Sequence, residues 1–164
     1  MATDISGLVN LGETKILLDD LSGPEIASFL HEHIEEMKAV TPPGSKHALD
    51  LDGLRSPSVR FWTVVLDERI VGCGAIKRLD AYHGEIKSMR VAPSCRRIGV
   101  ASMLLTYLVA EAKRTGFLRL SLETGASEFF RRARRFYGKY DFELCGPFAD
   151  YTFDPNSVFM TKVL

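Results

Sequence analysis

The hydrophobic pattern changes period several times along this chain. Val59–Leu66 and Ile70–Leu79 are apolar runs separated by Asp67, Glu68 and Arg69, and together they predict a β-hairpin. A turn over Asp80–Gly84 leads into a strand over Glu85–Val91. The spacing then becomes helical. Ala101, Leu104, Leu105, Leu108 and Ala112 fall on one face of a helix that closes near Gly116. Phe117–Glu123, with leucine at 118, 120 and 122, reads as the next strand. Glu128–Tyr140 reads as a helix, and Asp141–Leu144 and Val158–Val163 as closing strands.

The N-terminal part follows the same logic. Residues 1–12 are expected to form a loose leader, and Thr14–Asp19 a first strand. Ser22, Pro24 and Glu25 resemble a capping box, with Ser22 as the N-cap. The helix that follows places Ile26, Phe29, Leu30, His33, Ile34 and Met37 on one face and ends at Thr41–Ser45. A short helix is expected within Leu49–Leu54. Strands first, then strand, helix, strand, helix and strand imply one α/β domain over residues 1–164. Its mixed sheet of about six or seven strands would carry helices on both faces.

Composition narrows the setting. No apolar run reaches the length of a membrane span, and the N-terminus lacks the layout of a signal peptide. Cys73, Cys95 and Cys145 are odd in number and have no metal-ligand spacing, so a reduced cytoplasmic setting is expected and no metal site. Net charge is zero, yet unevenly spread: residues 1–60 carry −5, residues 61–140 carry +8 and the last 24 carry −3. A basic middle suits an anionic cofactor, and the acidic first third suits a cationic acceptor. The balanced total, without a basic-aromatic motif, argues against nucleic acid as a partner.

The densest chemical signal lies after the Glu85 strand. A loop over Ala92–Cys95 enters Arg96, Arg97, Ile98, Gly99, Val100, Ala101 and Ser102, where the amphipathic helix begins. First-turn N–H groups have no partner within the helix, and the helix dipole favours an anion there. Gly99 permits close approach of a ligand to the main chain. The order Arg96-x-x-Gly99-x-Ala101 after a strand resembles the pyrophosphate loop of the GCN5-related N-acetyltransferases, the GNAT superfamily. Ala133-x-x-Phe136-Tyr137 followed by Phe142 resembles the C-terminal signature of that family. Two positions depart from it: Phe130 stands where an asparagine often contacts pantetheine, and Asp141 where glycine usually precedes Phe142. Leu122–Gly125 and Gly146-Pro147-Phe148-x-x-Tyr151 are similar to small bacterial members without an assigned substrate.

The resemblance implies the acyl-CoA N-acyltransferase fold, with acetyl-CoA as co-substrate and direct transfer to a primary amine in a ternary complex. It places pantetheine in a slot between Ser88–Val91 and Leu120–Glu123, paired with the main chain of Met89, Arg90 and Val91. The pyrophosphate would then lie on Arg96 to Ser102. An alkyl ammonium of pKa ~10.4 must lose a proton before it attacks. Glu85 is the candidate base, with Glu123 in reserve; the alternative for Glu85 is a surface glutamate paired with Lys87. Tyr137 is the candidate acid, because a phenol of pKa ~10 can protonate a leaving thiolate. Its alternative is a core aromatic beside Phe136 and Tyr140.

Other residues carry less. His33 is expected at the acceptor wall or as a satisfied core histidine, and His31 points to another face. His47 and His83 are expected in loops, and Cys95 has no base partner for an acyl-cysteine route. Arg131, Arg132, Arg134 and Arg135 form a basic patch that either meets coenzyme A or is a solvated helix face. Trp62 and Phe61 are expected in the core. The expected acceptor is a small-molecule amine or an amino acid. A protein or peptide amine, an acyl-CoA sensor with little catalysis, a longer acyl group and a homodimer stay open at this point.

Overall fold

The computed structural model describes residues 13–45 and 50–164, so the predicted leader and His47 lie outside the described residues. Among the described residues, seven strands form one sheet in the order β1-β2-β3-β4-β5-β7-β6. They are β1 (Thr14–Leu18), β2 (Val59–Leu66), β3 (Arg69–Arg78), β4 (His83–Val91), β5 (Arg119–Gly125), β6 (Glu143–Cys145) and β7 (Ser157–Val163). The helices are α1 (Pro24–Val40), α2 (Leu51–Leu54), α3 (Val100–Arg114) and α4 (Arg131–Lys139). Only β4 and β5 run parallel; the other neighbours pair antiparallel.

Side-chain alternation on the strands builds two cores. Leu104, Leu105 and Leu108 of α3 are fully buried against Trp62, Val64, Ile86 and Leu120 on one face. Ile26, Phe29 and Leu30 of α1, with Leu54 of α2, pack on Phe61, Cys73 and Ala75 on the other. Each such aliphatic side chain contributes about 1.5–3 kcal/mol on burial. This is the mixed sheet with helices on both faces that the sequence predicts, and Phe61 and Trp62 are core residues as expected.

Local chemistry moves several boundaries. Gly23, not Ser22, is the N-cap of α1, without a side-chain cap. The Ser22 hydroxyl donates to Asp20 Oδ1 at 2.6 Å instead, in the turn where Leu21 takes a φ of 63°. The fifth strand starts at Arg119, which leaves Leu118 60% exposed, whereas Leu120 and Leu122 are buried. The predicted helix over Glu128–Tyr140 opens as a 3-10 turn over Glu128–Phe130 before α4. Asp141 takes the left-handed conformation usual for glycine, φ 67°, so the closing strand starts at Glu143.

Candidate active site

The sheet opens where β4 and β5 part. Their parallel pairing covers only His83–Glu85 opposite Arg119–Ser121. Past Glu85 the register of β4 on β3 shifts between Cys73 and Ala75, and Ser88 takes a φ of 56°. Such a bulge bends its strand. β5 continues beside β7 as far as Gly125, so the two strands diverge. Between them lies a cleft of about 740 Å³, lined by Glu85–Val91 on β4, Leu122–Thr124 on β5, and Glu128–Ala133 and Tyr137 from the fourth helical region. The expected wall on β5 therefore moves toward the C-terminus. Leu120 is buried in the core and Ser121 still pairs with Glu85, so neither lines the cleft.

The turn before α3 leaves the right-handed backbone at two positions. Arg97 and Gly99 take φ values of 67° and 93°, and Gly99 caps the helix with no side-chain hydrogen bond. No acidic residue occupies the first turn to compete for its N–H groups. A second cavity, about 340 Å³, is lined by Met89, Arg90, Val91, Arg96, Arg97 and Gly99–Ser102, with Arg132, Phe136 and Tyr137 opposite. It shares Met89–Val91, Arg96 and Tyr137 with the cleft, so the two form one groove. Of the predicted loop residues Ile98 does not line this cavity; its side chain packs against the core that includes Val100. The Arg90 side chain is also spent elsewhere, donating to Phe29 O at 2.6 Å and to Glu36 at 3.0 Å, which leaves its main chain on the groove.

The basic patch divides by partner. Arg131 pairs with Glu128 at 3.0 Å, and Arg134 donates to the carbonyls of Gly125 and Ser127. Arg132 and Arg135 line the cleft. Phe130, which stands where an asparagine is usual in the family, packs against Gly125, where any Cβ would enter its ring. Its ring borders both the cleft and a neighbouring cavity of about 390 Å³.

Glu85 is not a surface residue. It is 2% exposed, and its carboxylate faces the cleft where β4 and β5 separate. The pairing with Lys87 is present at 3.3 Å, but between two side chains that are themselves 3% and 9% exposed. Tyr151, from the connection between β6 and β7, donates to Glu85 Oε2 at 2.6 Å, and Lys87 donates to the Tyr151 hydroxyl at 3.0 Å. No local pattern assigns Tyr151 a role; the one signal for it is the Gly146–Tyr151 motif shared with small bacterial family members. Glu123 borders the cleft on the opposite strand.

Tyr137 lines both cavities and is stacked edge-on with Phe136 and Phe142. Burial raises its phenol above the ordinary value, so it stays protonated through the working range. His33 also lines the cleft; burial first, then the Arg90 charge, lowers its pKa to about 4. Its Nδ1 is buried without a hydrogen-bond partner among the described residues, against the expectation of a hydrogen-bonded core or rim histidine. His83 Nε2 and Ser121 Oγ lie 2.7 Å apart, away from α1. No cluster of metal-ligand side chains occurs among the described residues.

The fold agrees with that of known proteins. The model of the Acetyltransferase (GNAT) family matches residues 26–142, and the chain belongs to that family. It is a GNAT-type N-acetyltransferase. The uncharacterized N-acetyltransferase YsnE of Bacillus subtilis is 49% identical over 149 residues, covering 91% of this chain and 99% of that protein. YedL of Escherichia coli, also an uncharacterized N-acetyltransferase, is 45% identical over 149 residues, covering 91% and 94%. Among solved structures, a GNAT family acetyltransferase from Elizabethkingia anophelis with acetyl-CoA bound superposes with a TM-score of 0.63 at 18% identity, covering 92% and 98%. That last likeness concerns the fold alone.

Proposed function

We propose that this enzyme transfers the acetyl group of acetyl-CoA directly to the primary amine of a small molecule or amino acid, with donor and acceptor bound together. The observation that carries this reading is the placement of Glu85. A carboxylate 2% exposed opens into the cleft at the point where the strands separate. A general base must lie within hydrogen-bond reach of the proton that it removes, directly or through one water.

The groove fits the donor. Its anion turn, with Arg96 and Arg97 beside the free end of α3, suits a pyrophosphate, and Arg132 and Arg135 add positive charge along the same wall. The edge of Met89–Val91 turned away from β3 faces the cleft and suits an extended pantetheine arm. Main-chain N–H groups on that edge would also steady negative charge on the reacting carbonyl oxygen. Tyr137 stands where β4, the anion turn and α4 meet, and would donate to the departing sulfur. Glu85 receives the amine proton, with Glu123 across the cleft adding negative charge that favours a cationic acceptor.

Free-thiol release from acetyl-CoA, measured across amino acids, polyamines, aminoglycosides and short peptides, tests the reading. Turnover with small amines or amino acids and little with peptides is expected. Preference for peptides would move the acceptor to proteins. Tight acetyl-CoA binding without release in any mixture would replace the enzyme reading with a sensor.

A further inference from the structure

Among the described residues the Glu85 carboxylate receives two hydrogen bonds, and both fall on the same oxygen. Tyr151 donates to Oε2 at 2.6 Å and Lys87 to Oε2 at 3.3 Å, while Lys87 also donates to the Tyr151 hydroxyl at 3.0 Å. The three groups close a ring inside the cleft. The Tyr151 ring is itself fixed: it stacks at 5.1 Å on Phe148 and 5.3 Å on Phe159, and its N–H donates to Phe148 O at 3.0 Å. An arrangement this determined around a single oxygen orients the other one.

We propose that Tyr151 is a positioning residue for Glu85: with Lys87 it holds Oε2 and leaves Oε1 as the atom that takes the proton of the acceptor. This rests on Glu85 being the base in the function proposed above. The step is balanced: one N–H bond of the acceptor ammonium breaks, an Oε1–H bond forms, and Glu85 becomes neutral while Lys87 and Tyr151 keep their protons. Tyr151 remains a donor throughout, because burial first and the Glu85 charge second raise its phenol above the ordinary value. The charged and titratable groups around the carboxylate are Lys87 and His83 on β4, Tyr151 from the β6–β7 connection, and Glu123 on β5.

The test is kcat and KM against pH for the best amine of the panel. Tyr151→Phe keeps the ring contacts and removes only the hydroxyl. Its kcat is expected to fall by about ten- to a hundredfold while KM stays within about twofold, and the acid limb of its kcat profile should move away from that of the wild type. Lys87→Gln reads the same ring from its other donor and should move kcat and the acid limb in the same direction. Unchanged kcat profiles in both variants overturn the proposal while leaving Glu85 as base. Full turnover in Glu85→Gln overturns both.

Discussion

Replacing Gly125 with alanine separates the packing of the cleft from its chemistry. A Cβ on this residue enters the Phe130 ring, against Cδ2, Cε2 and Cγ together. Gly125 has no left-handed backbone to preserve, so the ring alone sets the sign of the effect. Extra atoms forced into a packed contact cost about 1–3 kcal/mol. Phe130 must rotate, and the space open to it is the cleft or the neighbouring cavity, both of which it already borders. In a Phe130→Ala background the clash is gone, and exchange of glycine for alanine inside a strand is then favourable by roughly 0.5–1 kcal/mol. Urea unfolding of the four proteins of this double-mutant cycle gives the coupling directly. Gly125→Ala should destabilise by about 1–3 kcal/mol alone and by about zero or less beside Phe130→Ala. An equal cost in both backgrounds would refute the reasoning, since the ring would then not be what excludes a side chain at 125.

Two other consequences are open to measurement. Tyr137→Phe should cut turnover while leaving acetyl-CoA affinity within about twofold, because only the hydroxyl is lost and the edge-on stacking with Phe136 and Phe142 remains; calorimetry beside thiol release checks it, and equal loss of binding would return Tyr137 to a purely structural role. His33 has a folded pKa of about 4 against an ordinary value of 6.5, so the unfolded chain binds the extra proton between these limits. The stability that neutral His33 contributes is present above about pH 6.5 and lost as pH falls toward about 4. Urea midpoints from pH 7 to 4.5 should therefore fall less steeply in His33→Gln than in the wild type, and parallel curves would contradict the assignment.

How much of this was legible beforehand follows from the range of the interactions. The helix of Leu104, Leu105 and Leu108 and the hairpin around Asp67–Arg69 are set by local periodicity, and they lie where the pattern put them. The turn before α3 was legible because glycine at a left-handed position before an apolar helix is a local requirement, met here at φ 93°. The Ser22 hydroxyl turns back to Asp20 instead of capping α1, a local choice that the capping-box pattern does not encode. Arg90 lay within the predicted cofactor strand, but its guanidinium crosses to α1 over a separation of 61 residues, which no spacing rule reaches. Tyr151 is the clearest case. It meets Glu85 across 66 residues, through a connection whose course depends on Phe148 and Phe159 stacking. The sequence exposed the motif, and only the folded sheet joined it to the carboxylate.

The most direct measurement is thiol release by Glu85→Gln with the best amine of the panel, beside its affinity for acetyl-CoA. Loss of a positioned general base costs about 10²–10⁴ in rate. The account predicts a fall in kcat of that order at neutral pH, with acetyl-CoA binding unchanged, since the anion turn and the Met89–Val91 edge are untouched. Turnover equal to the wild type would contradict it and move proton removal away from the foot of the cleft.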